Sequence, residues 1–177
     1  NGPTTYAMEG SIFATGATVQ WLRDELGLIS EVGELGPLAE SVKDSGGVVF
    51  VPAFAGLGSP WWDPWARGTI IGLTRGTGRA ELARAIVEAM AFQTRDVIEA
   101  MLKAGAQPLP GLKVDGGAAV MDLLLRLQAD QLGVPITRSV STEATALGAA
   151  FFAGLAEEFW SSTDELAELW RGDPAVQ

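Results

Sequence analysis

The spacing of apolar residues changes along this chain, and each change predicts an element. From 12 to 26 the apolar residues recur at helical spacing, and Gly27 closes the predicted helix. A second, shorter helix is expected over 35–43. The longest helical pattern covers 80–104, where Gly105 ends it. One stripe of this helix, apolar except for Gln93, consists of Leu82, Ile86, Met90, Gln93, Val97 and Met101.

Short apolar runs between these helices predict strands at 4–9, 48–51, 69–73, 112–114 and 135–138. The glycine-, proline- and tryptophan-rich segment 53–67 predicts an ordered loop. Helices over 121–132 and 146–153 alternate with the later strands, and a last helix is expected over 163–170. A face of small residues on the helix at 146–153 predicts close packing on a sheet. Strand–helix alternation from 112 to 155 indicates an α/β fold with a partly parallel, helix-covered sheet.

Composition restricts the kind of protein and its partners. The 177 residues are 47% hydrophobic and 19% charged, which is typical of a folded domain. We expect a single domain over 1–177 with a helical tail at 156–177. A net charge of −10 argues against a nucleic-acid partner, and no apolar run is long enough to span a membrane. The absence of cysteine and histidine disfavours thiolate, zinc and serine-hydrolase chemistry, and fits a cytoplasmic protein.

Residues 115–122 are the strongest candidate for a ligand-binding segment. Asp115, Gly116 and Gly117 connect a predicted strand directly to a helix, so bare backbone N–H groups face outward where an anion or a flat ring can approach. A plain tight turn has the same sequence. A second glycine-led helix start lies far upstream at 16–20. Two such starts in one chain favour a bound nucleotide over a simple turn.

Four segments resemble the FGGY family of carbohydrate kinases. Residues 68–88 match the C-terminal signature of that family, in which two spaced glycines precede a glutamate-led helix. Residues 20–24, 52–68 and 93–97 are similar to the corresponding segments of its glycerol-phosphorylating members. The resemblance implies one partial lobe of an RNase-H-like, actin-like ATPase fold, a mixed sheet flanked by helices that lacks its first strands. It also implies ATP-dependent, Mg²⁺-dependent phosphorylation of glycerol to sn-glycerol 3-phosphate.

The same resemblance implies the site residues. Gly16, Gln20 and Gly117 are the nucleotide contacts that it implies, and a solvated helix residue is the less favoured alternative for Gln20. The family has an adenine-facing Asn where this chain has Met121, which packs on a purine but cannot hydrogen-bond its edge. Asp122 or a backbone group is the alternative partner for the base.

No catalytic or metal-binding residue is expected within this chain. The family's catalytic Asp and phosphate loop lie upstream, and neither Gly-Asp-Gln nor Thr-Gly-Thr-Gly occurs here. The chain is therefore interpreted as a fragment, with Mg²⁺ held mainly by residues outside it. Expected partners are ATP or ADP, glycerol and further copies in a homo-oligomer. The alternatives are an FGGY kinase for a pentulose or aldonate, and a catalytically inactive nucleotide-binding or interaction module.

Trp61, Trp62 and Trp65 lie together in the loop at 53–67. Three roles fit them: a sugar platform, packing of the loop on its own domain, and a subunit interface. Packing and the interface are the favoured roles.

Overall fold

A computed structural model describes residues 4, 6–169 and, for the backbone, 172–176. The chain divides into two compact units, Asn1–Pro108 and Leu109–Gln177. The helices are α1 (Gly16–Asp24), α2 (Leu35–Glu40), α3 (Arg79–Lys103), α4 (Asp122–Leu132), α5 (Ala144–Ala156) and α6 (Thr163–Leu169). The strands are β1 (Val49–Val51), β2 (Thr69–Ile71), β3 (Leu112–Val114), β4 (Ile136–Ser139) and β5 (Gly172–Val176). Short 3-10 helices span Val32–Glu34 and Gly117–Val120.

The first unit is built around α3. The antiparallel pair β1–β2 and the short α2 both pack on this helix. The buried face of α3 is broader than the predicted stripe, because alanines flank the larger residues and let neighbouring elements approach closely. Its buried residues are Ala83, Ala85, Ile86, Val87, Ala89, Met90, Ala91 and Val97.

Both ends of α3 are set by local chemistry. The carboxylate of Glu81 accepts a hydrogen bond from the backbone N–H of Gly78 at 2.8 Å, which satisfies a donor just before the helix. At the other end Gly105 adopts φ +98, a left-handed conformation that ends the helix. Predicted and observed bounds therefore agree within one residue.

The second unit contains a three-stranded sheet in the order β3-β4-β5. Strands β3 and β4 are parallel, as the strand–helix alternation predicts, and α4 connects them. Leu125, Ala129 and Ile136 form the buried core between α4 and the sheet. Gly133 ends α4 in the left-handed conformation, and its N–H bonds to the Ala129 carbonyl at 2.8 Å.

Three expectations need correction. Within the part that the structure describes, residues 4 and 6–9 form no strand, because strand geometry needs a paired neighbour and these residues have no ladder partner. The segment 156–177, expected to be a helical tail, holds α6 and then β5, which pairs antiparallel with β4. A proline at 174 disfavours helix there and is tolerated on an edge strand.

Helix α5 is the third correction. It forms as predicted, but no residue in it is buried, so its small-residue face does not pack on the sheet. Phe152 on this helix is 72% exposed. Small apolar residues predict where a helix can approach a partner and do not specify which partner it approaches.

Candidate functional site

The first predicted pair of site residues lies on α1. Gly16 is the first residue of the helix, and Gln20 follows one turn later on the same face. Both are exposed, and a Cβ placed on Gly16 would meet no atom within 4 Å. The helix start therefore leaves its backbone open to a ligand, with the Gln20 amide beside it as both donor and acceptor.

Packing on the other side of α1 fixes the direction of this pair. Thr18, Val19 and Leu22 are buried. The Trp21 ring lies 6.0 Å from Phe50 and 5.0 Å from Phe54 between ring centroids. Since these contacts hold one side of the helix on the first unit, Gly16 and Gln20 face away from that core.

The second predicted pair lies in the loop after β3. Gly116 adopts φ +86, which strongly favours glycine, and Gly117 then opens a 3-10 helix. The turn is closed by backbone bonds from Ala119 N–H to the Gly116 carbonyl (3.1 Å) and from Met121 N–H to the Ala118 carbonyl (3.2 Å). Met121 is half-buried and leads directly into α4. The structure thus places Gly117 and Met121 at the two ends of one short turn.

Gly117 itself is exposed with open space where a Cβ would lie, and its φ is not positive. Of the two neighbouring glycines, Gly116 is therefore the one in the left-handed conformation. The two glycines have different roles, since Gly116 makes the turn possible and Gly117 leaves the backbone accessible.

Arg138 anchors this loop to β4 and was not among the site residues expected from the sequence. Its Nη1 donates to the carbonyls of Ala119 (3.1 Å) and Val120 (3.3 Å), and its Nη2 lies 3.0 Å from a carboxylate oxygen of Asp122. Its contact with the loop depends on the pairing of the two strands. In the parallel pair Arg138 lies opposite Val114, so it reaches the carboxyl edge where the loop begins.

Several charged side chains outside these two segments serve local structure. Arg67 donates to the carbonyls of Pro64 (2.9 Å) and Ala66 (2.7 Å), and so orders its own loop. Glu88 pairs with Arg84 at 2.8 Å along α3. At the end of α1, the hydrogen bond from Arg23 lowers the pKa of Asp24 below its usual value.

The three tryptophans are turned outward. Trp61, Trp62 and Trp65 are 62%, 63% and 82% exposed. Trp62 makes one edge-on ring contact, with Phe13 at 6.3 Å. Packing of the loop on its own unit therefore accounts for little of their surface.

Among the described residues, no three histidine, cysteine, aspartate or glutamate side chains lie close enough together to hold a metal ion. In the same part of the chain, none of the helices combines the length and the apolar character that crossing a membrane requires.

Comparisons with known proteins all point to the same family. Residues 1–157 match the FGGY family of carbohydrate kinases, C-terminal domain. A glycerol kinase of Dechloromonas aromatica is 60% identical over 172 residues, which are 97% of this chain and 34% of that protein. Glycerol kinase 2 of Thermotoga maritima is 56% identical over 173 residues, or 98% of this chain and 35% of that protein. The chain spans about a third of the length of these relatives.

Solved structures agree with the sequence matches. Plasmodium falciparum glycerol kinase with ADP superimposes with a TM-score of 0.79 at 35% identity, covering 92% of this chain and 32% of that one. Ligand-bound xylulose kinase from Lactobacillus acidophilus gives a TM-score of 0.77 at 26% identity, covering 93% and 34%.

Proposed function

Because this chain belongs to the FGGY family of carbohydrate kinases, as a C-terminal domain, we propose that it supplies part of the nucleotide-binding lobe of an ATP-dependent glycerol kinase. The fold expected from the sequence is confirmed: the chain is mixed α/β, and its structural neighbours are sugar kinases with the actin-like ATPase fold. The proposed reaction transfers the γ-phosphoryl group of ATP to a terminal hydroxyl of glycerol, which gives sn-glycerol 3-phosphate.

The observation that carries the nucleotide assignment is the loop Gly117–Val120 at the carboxyl end of β3. Ligands of open α/β sheets bind outside the carboxyl ends of the strands, and this loop presents accessible backbone there. We propose that Gly117 and Met121 contact the nucleoside from this loop, and that Gly16 and Gln20 contact the nucleotide from the start of α1. That a similar structure was solved with ADP supports the assignment.

Glycerol is the proposed acceptor because the relatives named glycerol kinase are 55–60% identical to this chain, whereas the xylulose and gluconate kinases among the solved structures are 26–29% identical. A pentulose or aldonate kinase is the alternative within the family. We propose that the Mg²⁺ that accompanies ATP is held mainly by residues outside this chain.

A coupled ADP-release assay on the full-length polypeptide tests the proposal. With ATP present, glycerol should sustain turnover, and xylulose and gluconate should sustain much less. Turnover with a pentulose or aldonate but not with glycerol would reassign the acceptor. ADP binding without turnover on any of the three would favour an inactive nucleotide-binding module. The translated sequence upstream of Asn1 gives an independent check, because an active kinase requires the Asp-Gln and Thr-Gly elements there.

We further propose a cytoplasmic homo-oligomer, in which the exposed tryptophans at 61, 62 and 65 supply contact surface. Sedimentation velocity of the full-length protein and of its Trp65→Ser variant measures this. An unchanged oligomer in the variant would remove that loop from the interface, and a monomeric wild type would end the proposal of an oligomer.

A further inference from the structure

We propose that Arg138 is the positioning residue of the nucleotide loop, and that it acts by holding the loop from both sides of Met121. The inference rests on the proposed function, since it concerns the same loop. Arg138 contacts the carbonyls of Ala119 and Val120 just before Met121 and the carboxylate of Asp122 just after it. One guanidinium therefore fixes the residues on either side of the position that faces the base.

The geometry suits arginine and no other side chain. Three acceptors lie 3.0–3.3 Å from two nitrogens of one planar group, so the fork of donors is matched by the loop. Lysine carries the same charge on a single nitrogen and cannot reach the same set of acceptors together. Arg138 extends from β4, whose pairing with β3 fixes its distance from the loop.

The loop needs this anchor because it makes few stabilising contacts of its own. Val120 is 60% exposed, and the turn is closed by the two backbone hydrogen bonds of Ala119 and Met121. In a short turn of which Ala119 alone is buried, local opening has a low free-energy cost. An anchor to the sheet reduces that opening and presents the backbone at Gly117 in one conformation, which lowers the ordering cost of binding.

Arg138 also balances charge. Asp122 lies in the first turn of α4 beside the loop that would receive an anionic nucleotide. Its ion pair with Arg138, made through one carboxylate oxygen, compensates the charge of the carboxylate and holds it toward the sheet. Loss of Arg138 releases both the loop and this negative charge.

Calorimetry with ADP and steady-state kinetics on the full-length polypeptide test the proposal in Arg138→Ala, Arg138→Lys and the control Arg126→Ala, which removes the same charge from an exposed position on α4. We expect Arg138→Ala to raise the Kd for ADP about tenfold, since bonds to charged groups contribute strongly, and Arg138→Lys to recover little of it. The KM for ATP should rise while the KM for glycerol stays unchanged. Wild-type affinity in Arg138→Ala, full recovery in Arg138→Lys, or an equal loss in Arg126→Ala would each overturn the proposal.

Hydrogen exchange without nucleotide provides a second measurement that does not depend on the proposed function. The amides of Ala119 and Met121, which close the turn, should exchange about tenfold faster in Arg138→Lys than in wild type. If Arg138→Ala does not fold, the lysine variant and its exchange rates carry the test. Unchanged rates would overturn the positioning role. Failure of the wild type to bind ADP would instead reject the proposed nucleotide site and leave the exchange result to stand by itself.

Discussion

Gln20 tests the nucleotide contact proposed on α1. Gln20→Ala removes one neutral amide from an exposed helix face, so ADP binding to the full-length protein should weaken by roughly 1 kcal/mol. Gln107→Ala, which removes an exposed glutamine of the same unit outside α1, should bind as wild type does. Calorimetry measures both variants. Equal affinity of Gln20→Ala and Gln107→Ala would return Gln20 to the role of a solvated helix residue.

Gly117→Val tests the nucleotide contact proposed in the loop after β3 by blocking access to its backbone. A valine Cβ at this position meets open space and no positive φ, so the folded protein should tolerate the change. A branched side chain would nevertheless block the approach of a ligand to the backbone, and ADP affinity should fall by more than in Gln20→Ala. Gly116→Val is the contrasting variant, because φ +86 there makes it strained and should lower its Tm. A Gly117→Val protein with normal Tm and normal affinity would contradict the assignment.

We expect Met121 to make the proposed site less strict in distinguishing bases. Met121 offers no hydrogen bond to a base edge, and the Asp122 carboxylate beside it is bonded to Arg138. Apolar contacts discriminate analogues by about 1–3 kcal/mol, so kcat/KM for GTP should lie within roughly a hundredfold of that for ATP. Met121→Asn should increase the preference for ATP. An unchanged ATP/GTP ratio in that variant would mean that a backbone group, or Asp122, reads the base.

At the residue scale, the sequence predicts the placement of residues that are close along the chain, and it misses contacts between residues that are far apart in the chain. Gly16 and Gln20 are separated by one helical turn, and Gly117 and Met121 by one short loop, so their placement within each unit follows from local spacing. Arg138 lies 19 positions from Ala119, and its contact with that residue depends on the register of two parallel strands. That register is a property of the sheet and cannot be derived from local spacing.

At the scale of elements, the ion pair on α3 makes stability depend on pH. The hydrogen bond that Arg95 donates to Glu99, 2.7 Å long, lowers the pKa of Glu99 below its usual value of 4.5. A group whose pKa is lowered by folding stabilises the fold above its unfolded pKa, and this contribution is lost as the pH falls through the folded pKa. The Tm of wild type should therefore exceed that of Glu99→Gln at neutral pH, and the difference should disappear in acid.

Both side chains are exposed, so the difference should be small and should shrink with added salt. Scanning calorimetry of both proteins from neutral pH to below 4.5 measures it. A Tm difference that stayed constant over this range would show that Glu99 acts through something other than its charge.

Whether the sequence alone predicts an element depends on whether the backbone hydrogen bonds of that element are internal or are made to another element. Helices such as α3 and α4 satisfy their backbone internally, so apolar spacing and a closing glycine are sufficient to place them. A strand depends on a partner elsewhere. Strand β3 has β4 beside it and was predicted at its observed bounds, whereas residues 4–9 had a strand-like pattern and no partner in the described part of the chain.

At the scale of the whole molecule, the 177-residue chain alone should not phosphorylate glycerol. Phosphoryl transfer needs a positioned base and donors around the γ-phosphate, and the family's Gly-Asp-Gln and Thr-Gly-Thr-Gly elements do not occur in this sequence. A coupled assay with ATP and glycerol should show no turnover above background, with the full-length polypeptide as the positive control. Glycerol-dependent turnover by the purified chain would place the catalytic groups within these residues.

Helix α5 has a practical consequence for anyone who handles this chain in isolation. Helix α5 has no buried residue, and its Phe152 is 72% exposed. Exposed apolar surface of this kind promotes self-association in water. The net charge of −10 keeps molecules apart only over the screening length, which shortens as salt is added. Concentrated stocks should therefore remain clear in dilute buffer and become turbid in high salt, and exposed helix α5 is one surface through which the molecules associate.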